Sequence, residues 1–121
     1  RTLQYLKERK QFGVLIGSFQ ALQHRAAHWW SEVELCKSVV LKALQALDSG
    51  DAKSPVMVSI AKAKLCEVTE LATNEAIQMH GGIGMTDEYE IGFFIKRART
   101  AATLYGGYAY HGDRFAQLCG Y

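Results

Sequence analysis

A few groups of residues in this chain have types and spacings that chemistry can use. The first is Gln78-Met79-His80-Gly81-Gly82-Ile83-Gly84, which stands where a long helical pattern stops. Glycine at such a point lets the backbone take positive φ and lets a ligand approach the chain closely. Exposed amides and the Gln78 side chain would then make a turn that meets a polar or anionic ligand. A plain helix stop uses the same glycines, and on the glycines alone it is the simpler reading. A P-loop or Rossmann loop should follow a strand and open a helix, and no Gly-Lys-Ser/Thr occurs here. His24, His28 and Glu32 recur at four-residue steps on one helix face, a spacing that could hold a metal. A solvated polar stripe explains them more simply, and no Glu has a His three residues later, as a di-iron bundle requires. No metal site is expected. Glu67 and Glu70 share a helix but need a cleft before they can act as an acid–base pair. Lys96, Arg97 and Arg99 could form an anion site, but a solvated basic helix face or contacts between subunits explain them more simply. No Ser-His-Asp or Cys-His-Asp/Asn set can be assembled.

The chain that must position these groups has 121 residues, enough for one domain with a single core. Its net charge of +2 is too small to argue for nucleic acid or an anionic membrane. No apolar run is long enough for a membrane span, and Arg1-Thr2-Leu3-Gln4 has no signal-peptide layout. Cys36, Cys66 and Cys119 are odd in number, far apart and form no Cys-x-x-Cys pair. Free thiols in a reducing compartment follow, which points to cytoplasm, or to the mitochondrial matrix in a eukaryote. The chain begins without a start methionine, inside a helix-like stretch, so residues 1 to 9 read as the tail of a helix that began upstream.

Gly13 and Gly17 break that helix, and Ser18 is placed as the N-cap of the next. Phe19, Leu22, Ala26, Trp29, Val33, Cys36, Val40, Ala43 and Leu47 recur in steps of three and four, the seam of a long amphipathic helix. Trp30 and Leu44 widen it, and Gly50 is placed to cap it. Ser54-Pro55 starts a second long helix, with Ser as cap and Pro in the first turn. Its stripe is Val58, Ala61, Leu65, Val68, Ala72, Ala76 and Met79. A loop from 81 to about 89 leads to a basic helix reaching about Leu104, and a short helix occupies roughly 108 to 119. No strand pattern is visible. The expected fold is all-α, an up-and-down helical bundle.

Taken in order, the motifs resemble the C-terminal helical domain of the acyl-CoA dehydrogenase family. Tyr5-Leu6-Lys7-Glu8-Arg9-Lys10-Gln11-Phe12-Gly13 is similar to the family's Tyr-x-x-x-Arg-x-x-Phe-Gly stretch, and Gln20 follows at the family distance. Asp48-Ser49-Gly50 resembles the bend between two long helices, and Ser59-Ile60-Ala61-Lys62-Ala63-Lys64 lies where the family's next helix begins. Gln78 to Gly84 matches Gln-x-x-Gly-Gly-x-Gly, followed by Thr86-Asp87-Glu88-Tyr89. The likeness covers nearly the whole chain. It implies residues 1–121 as one C-terminal domain of a longer flavoprotein whose N-terminal helical and middle β domains are not included.

The resemblance also implies roles. In the family this domain of one subunit reaches the FAD held mainly by a neighbour, so the protein is expected to be a homo- or hetero-oligomer. Arg9 would meet the FAD pyrophosphate, where a guanidinium fork suits phosphate oxygens. Gln11 and Phe12 would line the same edge, and Gln20 would hydrogen-bond the cofactor. Gln78, Gly81 and Gly82 would pack on its adenosine diphosphate part. The family reaction is α,β-desaturation of an acyl-CoA thioester, with electrons passing to an electron-transferring flavoprotein or similar acceptor. The segment alone is expected to be inactive and to hold no flavin.

One departure stands out. Many members carry a catalytic Glu in a Tyr-Glu-Gly-Thr run, and ungapped counting from Gly84 puts Leu104-Tyr105-Gly106-Gly107 there. A phenol ordinarily ionises near ~10, against ~4 for a carboxylate, and is a poor general base at neutral pH. Tyr105 is therefore expected to shape the acyl pocket. The base would lie upstream of Arg1, as in isovaleryl- and long-chain-type members. Alternatively this is a non-catalytic, FAD-contacting subunit of a heteromeric enzyme, like those acting on steroid side chains.

Overall fold

From Gln20 to Asp48 the chain has neither glycine nor proline, and from Ser54 to His80 only Pro55, which sits in the first turn where no donor is lost. Two long uninterrupted helices result. In chain order, the computed structural model, which describes residues 1–121, consists of α1 (Thr2–Glu8), a hairpin of β1 (Lys10–Gln11) and β2 (Val14–Leu15), α2 (Gln20–Asp48), α3 (Ser54–His80), α4 (Ile91–Thr103) and α5 (Tyr108–Cys119). The fold is all-α apart from that hairpin. No helix is long and apolar enough to cross a membrane.

α3 is the central member. α2 packs antiparallel to it after a tight turn in which Gly50 has φ +66° and the Asp51 amide returns to the Ala46 carbonyl. Arg25 grips Glu75 with two bonds of 2.6 and 2.9 Å, and Lys64 reaches Glu32 at 2.6 Å, so two ion pairs fix the register. α4 also runs antiparallel to α3: its C-terminal carbonyls, Ala101 and Ala102, accept bonds from Lys62 Nζ at 3.1 and 3.2 Å. A cation there also suits the negative end of the helix dipole. α5 continues in the same direction along α3, where Arg114 donates to the Pro55 carbonyl and to Ser59 Oγ. The third member of the up-and-down bundle is thus broken in two at residues 104–107.

Several expectations need correction. The sequence showed no strand pattern, yet Lys10 pairs with Leu15 and Gln11 with Val14. Two-residue strands are too short for alternation to register. Ser18 does not cap α2, because its hydroxyl donates to the Leu15 carbonyl; Phe19 holds the cap position. Residues 81–85 are a 3-10 helix, not an open loop. Leu47 and Leu65 point outward, while Ala46 and Cys66 are buried in their place. Trp30 and Leu44 do not widen the buried stripe; both are exposed. Cys36 is a core residue as expected, and desolvation pushes its thiol up.

Only 17 of 121 residues are buried, so much apolar surface, including Leu35, Leu41, Leu44 and Leu47 of α2, is uncovered within one chain. The one cluster of buried large side chains, Leu6, Ile16 and Met79, lies where α1, the hairpin, α2 and α3 meet, with Tyr5, Leu22, Ala26 and Trp29 packed around it. That end of the molecule is the firmest platform for a site.

The Glu32–Lys64 pair gives the bundle a pH dependence. The hydrogen bond from Lys64 holds the Glu32 carboxyl below its usual range, and bonds to Glu32 and Glu67 hold Lys64 above its own. A lowered carboxyl contributes stability above its unfolded pKa and loses it as pH falls through the folded one. A raised lysine contributes fully below its unfolded value near ~10.4 and loses it as pH rises through the folded one. The pair therefore supports the fold across neutral pH and is withdrawn in acid and in strong base. Acidification should lower the thermal midpoint less in Glu32→Gln than in the wild type. Parallel acid profiles for the two proteins would contradict this.

Candidate functional site

The hairpin carries the most unusual backbone at this end. Both central residues of its turn have positive φ, Phe12 at 54° and Gly13 at 79°, the pattern of a type I′ turn. Such a turn favours Asn or Gly first; a bulky side chain there costs about 1 kcal/mol or more. Nothing in the chain offsets that cost. The Phe12 ring is 91% exposed and has only an edge contact with Phe19, with centroids 6.2 Å apart.

Across from the hairpin, α3 ends on Gly81, whose φ of +65° lets the chain turn into the 3-10 helix. His80 anchors this end. Its Nδ1 donates to the Ala76 carbonyl at 2.7 Å, and its ring packs against both Tyr5 (4.3 Å) and Tyr89 (4.9 Å), which also touch each other. Its own carbonyl accepts a 3.4 Å bond from the Tyr5 hydroxyl. The end of α1, which carries Arg9, is thereby tied to the end of α3, which carries Gln78.

Between them is an open cavity of about 570 Å³, lined by Arg9, Gln11, Phe12, Gln78, Gly81 and Gly82 together with Tyr5, Ile16, Phe19, Leu22, Met79, His80 and Ile83. Six of the seven residues expected to touch a cofactor are thus brought together. The seventh, Gln20, is not among the lining residues; it begins α2 one residue beyond Phe19, which is. Phe19 was the less conspicuous of the two in sequence because an aromatic on an apolar seam looks like core. His80 was inside the motif, but its anchoring role needed the Tyr5 and Tyr89 contacts to become visible.

The glycines of the turn divide by physical reason. A Cβ on Gly84 would come within 2.9 Å of the His80 Cβ and 3.0 Å of the Ile77 carbonyl oxygen, so packing inside the chain requires it. Gly81 is required by its φ. Gly82 has neither constraint: its φ is not left-handed, and a Cβ there would meet nothing within 4 Å. The fold does not explain Gly82, which leaves its backbone open to contact from outside the chain.

Arg9 is the one lining residue with a fixed charge, and its side chain makes no hydrogen bond or ion pair within the chain. The N-terminus of α2 opens beside it without a side-chain cap and without an acidic residue in its first turn. A guanidinium, two carboxamides, free amides and apolar walls can bind an anionic ligand with a flat ring system. No carboxylate, cysteine or serine is among the lining residues.

The other sequence candidates lie elsewhere. Glu67, Glu70 and Arg99 line a groove of about 520 Å³ between α3 and α4, where Glu67 is already bound by Lys64 at 3.0 Å. Lys96 and Arg97 are exposed, with the Lys96 ammonium 5.8 Å from the Phe93 ring centre. Glu32 is engaged by Lys64, and no three His, Cys, Asp or Glu side chains are grouped as metal ligands. Tyr105 lies outside α4, which ends at Thr103, so it does not share a helix with Lys96, Arg97 and Arg99.

Known proteins resemble this chain in sequence and in helix arrangement. The family model for the acyl-CoA dehydrogenase C-terminal domain matches residues 1–117. Acyl-CoA dehydrogenase IpdE2 of Mycolicibacterium smegmatis is 40% identical over 105 residues, covering 87% of this chain and 32% of that protein. Among solved structures, the Tcur3481–Tcur3483 steroid ACAD variant matches with a TM-score of 0.91 and 30% identity, over 98% of this chain and 32% of that one. The FAD complex of PigA matches with a TM-score of 0.90 and 25% identity, over 98% of this chain and 31% of that one. The chain spans about a third of the length of these relatives. Motif order, helix arrangement and a family match over nearly every residue converge: this chain belongs to the acyl-CoA dehydrogenase family, as its C-terminal domain.

Proposed function

We propose that this domain, within a longer flavoprotein, grips the adenosine diphosphate part of FAD, and that the parent protein desaturates an acyl-CoA thioester at the α,β position. The observation that carries the reading is the convergence of Arg9, Gln78 and the Gly81-Gly82 backbone on one cavity. The donor set fits a pyrophosphate: Arg9 offers a planar fork of N–H groups, unpaired within the chain and suited to paired phosphate oxygens. Phe12, held out by its turn, supplies a wall for the cofactor edge, and Gln11 and Gln78 supply neutral hydrogen bonds. Gln20 reaches the same cofactor further along. Bound FAD supplies the acceptor for the hydride leaving the β-carbon, and an electron-transferring flavoprotein or similar acceptor then takes the electrons. This chain's part is to bind and orient the cofactor. The uncovered leucines of α2 support burial against another subunit, as large exposed apolar surface generally does.

A second reading is favoured by Tyr105, which stands where many relatives have their catalytic carboxylate. In that reading the chain belongs to a non-catalytic subunit of a heteromeric enzyme.

Gly82 provides the test. In the complete protein, Gly82→Leu should leave the thermal midpoint of the flavin-free form within about 2 °C, because a Cβ there meets nothing within 4 Å and the backbone is not left-handed. If the cofactor lies against Gly82, its dissociation constant should rise about tenfold or more, as a clash of about 1.4 kcal/mol or more would give. Unchanged flavin affinity would remove the cofactor from this face.

A further inference from the structure

Phe12 and Tyr105 are the two non-glycine residues with positive φ. Phe12 belongs to the cavity above. Tyr105, at φ 60°, lies at the break between α4 and α5 and is also 91% exposed. Its ring buries nothing that would offset a left-handed backbone, a conformation that Gly or Asn adopts more cheaply. Strain of this kind persists where surrounding structure imposes it.

That structure is visible. His111, 6% exposed, faces the break from α5, and its Nε2 donates to the Tyr105 carbonyl at 3.0 Å. Nδ1 of the same ring is buried and has no partner, so the imidazole makes this one bond and no other. Next to it the Tyr110 ring covers Gly106 so closely that a Cβ there would be 2.3 Å from Tyr110 Cδ1. On the other side Lys62 holds the Ala101 and Ala102 carbonyls. From Thr100 to Gly112 the chain carries no charge from Asp, Glu, Lys or Arg, and Leu104, Tyr105, Tyr108 and Tyr110 are all more than half exposed. The surface so displayed is uncharged and aromatic. It suits an acyl group and not the phosphates of coenzyme A.

We infer that His111 is a positioning residue: its bond to the Tyr105 carbonyl holds the break in the left-handed form, so that the Tyr105 ring stands as a fixed wall against the acyl group of the thioester. The inference rests on the reading of the parent protein as an acyl-CoA enzyme. His111 touches neither substrate nor cofactor and acts only through Tyr105.

The test measures binding of two thioesters that cannot be α,β-desaturated, benzoyl-CoA and acetyl-CoA, to the complete protein by calorimetry. Their affinity ratio reports contact with the acyl group and not with coenzyme A. Tyr105→Ala should change that ratio about two- to tenfold, the usual worth of one aromatic contact. His111→Phe should change it in the same direction, and Tyr105→Ala with His111→Phe should change it no further than Tyr105→Ala alone. His111→Gln, which keeps an N–H donor, should restore the wild-type ratio. If His111→Phe does not fold, His111→Asn, polar but too short to reach the carbonyl, must show the same shift. Additive effects of the two sites, or an unchanged ratio in both His111→Phe and His111→Asn, would overturn the role of His111 alone. An unchanged ratio in Tyr105→Ala would overturn it together with the placement of Tyr105 at the acyl group, whereas failure of both thioesters to bind the wild type would sink the acyl-CoA reading itself.

Discussion

Replacing Arg9 with Ala in the complete protein is expected to weaken FAD binding about 10- to 150-fold. A hydrogen bond to a charged group contributes about 1.5–3 kcal/mol, and each 1.4 kcal/mol is about tenfold in affinity. Arg9 is the only fixed charge lining its cavity, so no neighbour can substitute for it. Its side chain has no intrachain partner, so its removal leaves no buried group stranded and the fold should be untouched. Arg9→Lys should fall between the two, keeping the charge while losing the fork. Flavin titration of the stripped protein measures all three. Equal affinity in Arg9→Ala and the wild type would contradict the placement of the pyrophosphate.

The largest expected effect on stability is at Arg114. Ser59 is wholly buried, and Arg114 Nη1 donates to its hydroxyl at 2.6 Å and to the Pro55 carbonyl at 3.0 Å. These bonds tie α5 to the first turns of α3. Arg114→Met keeps most of the packing but removes both bonds, at a cost of about 1.5–3 kcal/mol. For a domain of this size that is a fall of roughly 5–15 °C in thermal midpoint. Ser59→Ala should cost less on its own, and much less in the Arg114→Met background, since both partners of one bond are then gone. A fall below about 2 °C in Arg114→Met would show that solvent replaces the guanidinium at no cost.

How far the sequence reaches is clear from particular residues. The long helices were legible because Gln20–Asp48 lacks breakers and because Gly50, Pro55 and Gly81 punctuate the chain where the structure turns. Exact facing was less legible. A seam drawn in steps of three and four drifts over 29 residues, which is why Ala46 replaces Leu47 inside. The hairpin was invisible because two residues per strand carry no period. The candidate site was legible only through the family motifs. Arg9 and Gln78 are 69 positions apart, and no local pattern says that α1 and the end of α3 meet. The strained backbones of Phe12 and Tyr105 leave no mark in sequence at all, because the residues that impose them, such as His111, are recognised only once the helices are packed.

The central claim, that the cavity between the hairpin and the end of α3 receives the FAD pyrophosphate, is tested most directly by a crystal structure of the complete, flavin-loaded protein. The account predicts the Arg9 guanidinium within hydrogen-bond distance, about 2.7–3.2 Å, of pyrophosphate oxygens. It also predicts the cofactor lying against the backbone of Gly82 with Gln78 beside it. A flavin whose phosphates lie elsewhere, with Arg9 in solvent or paired to a carboxylate of another subunit, would contradict it.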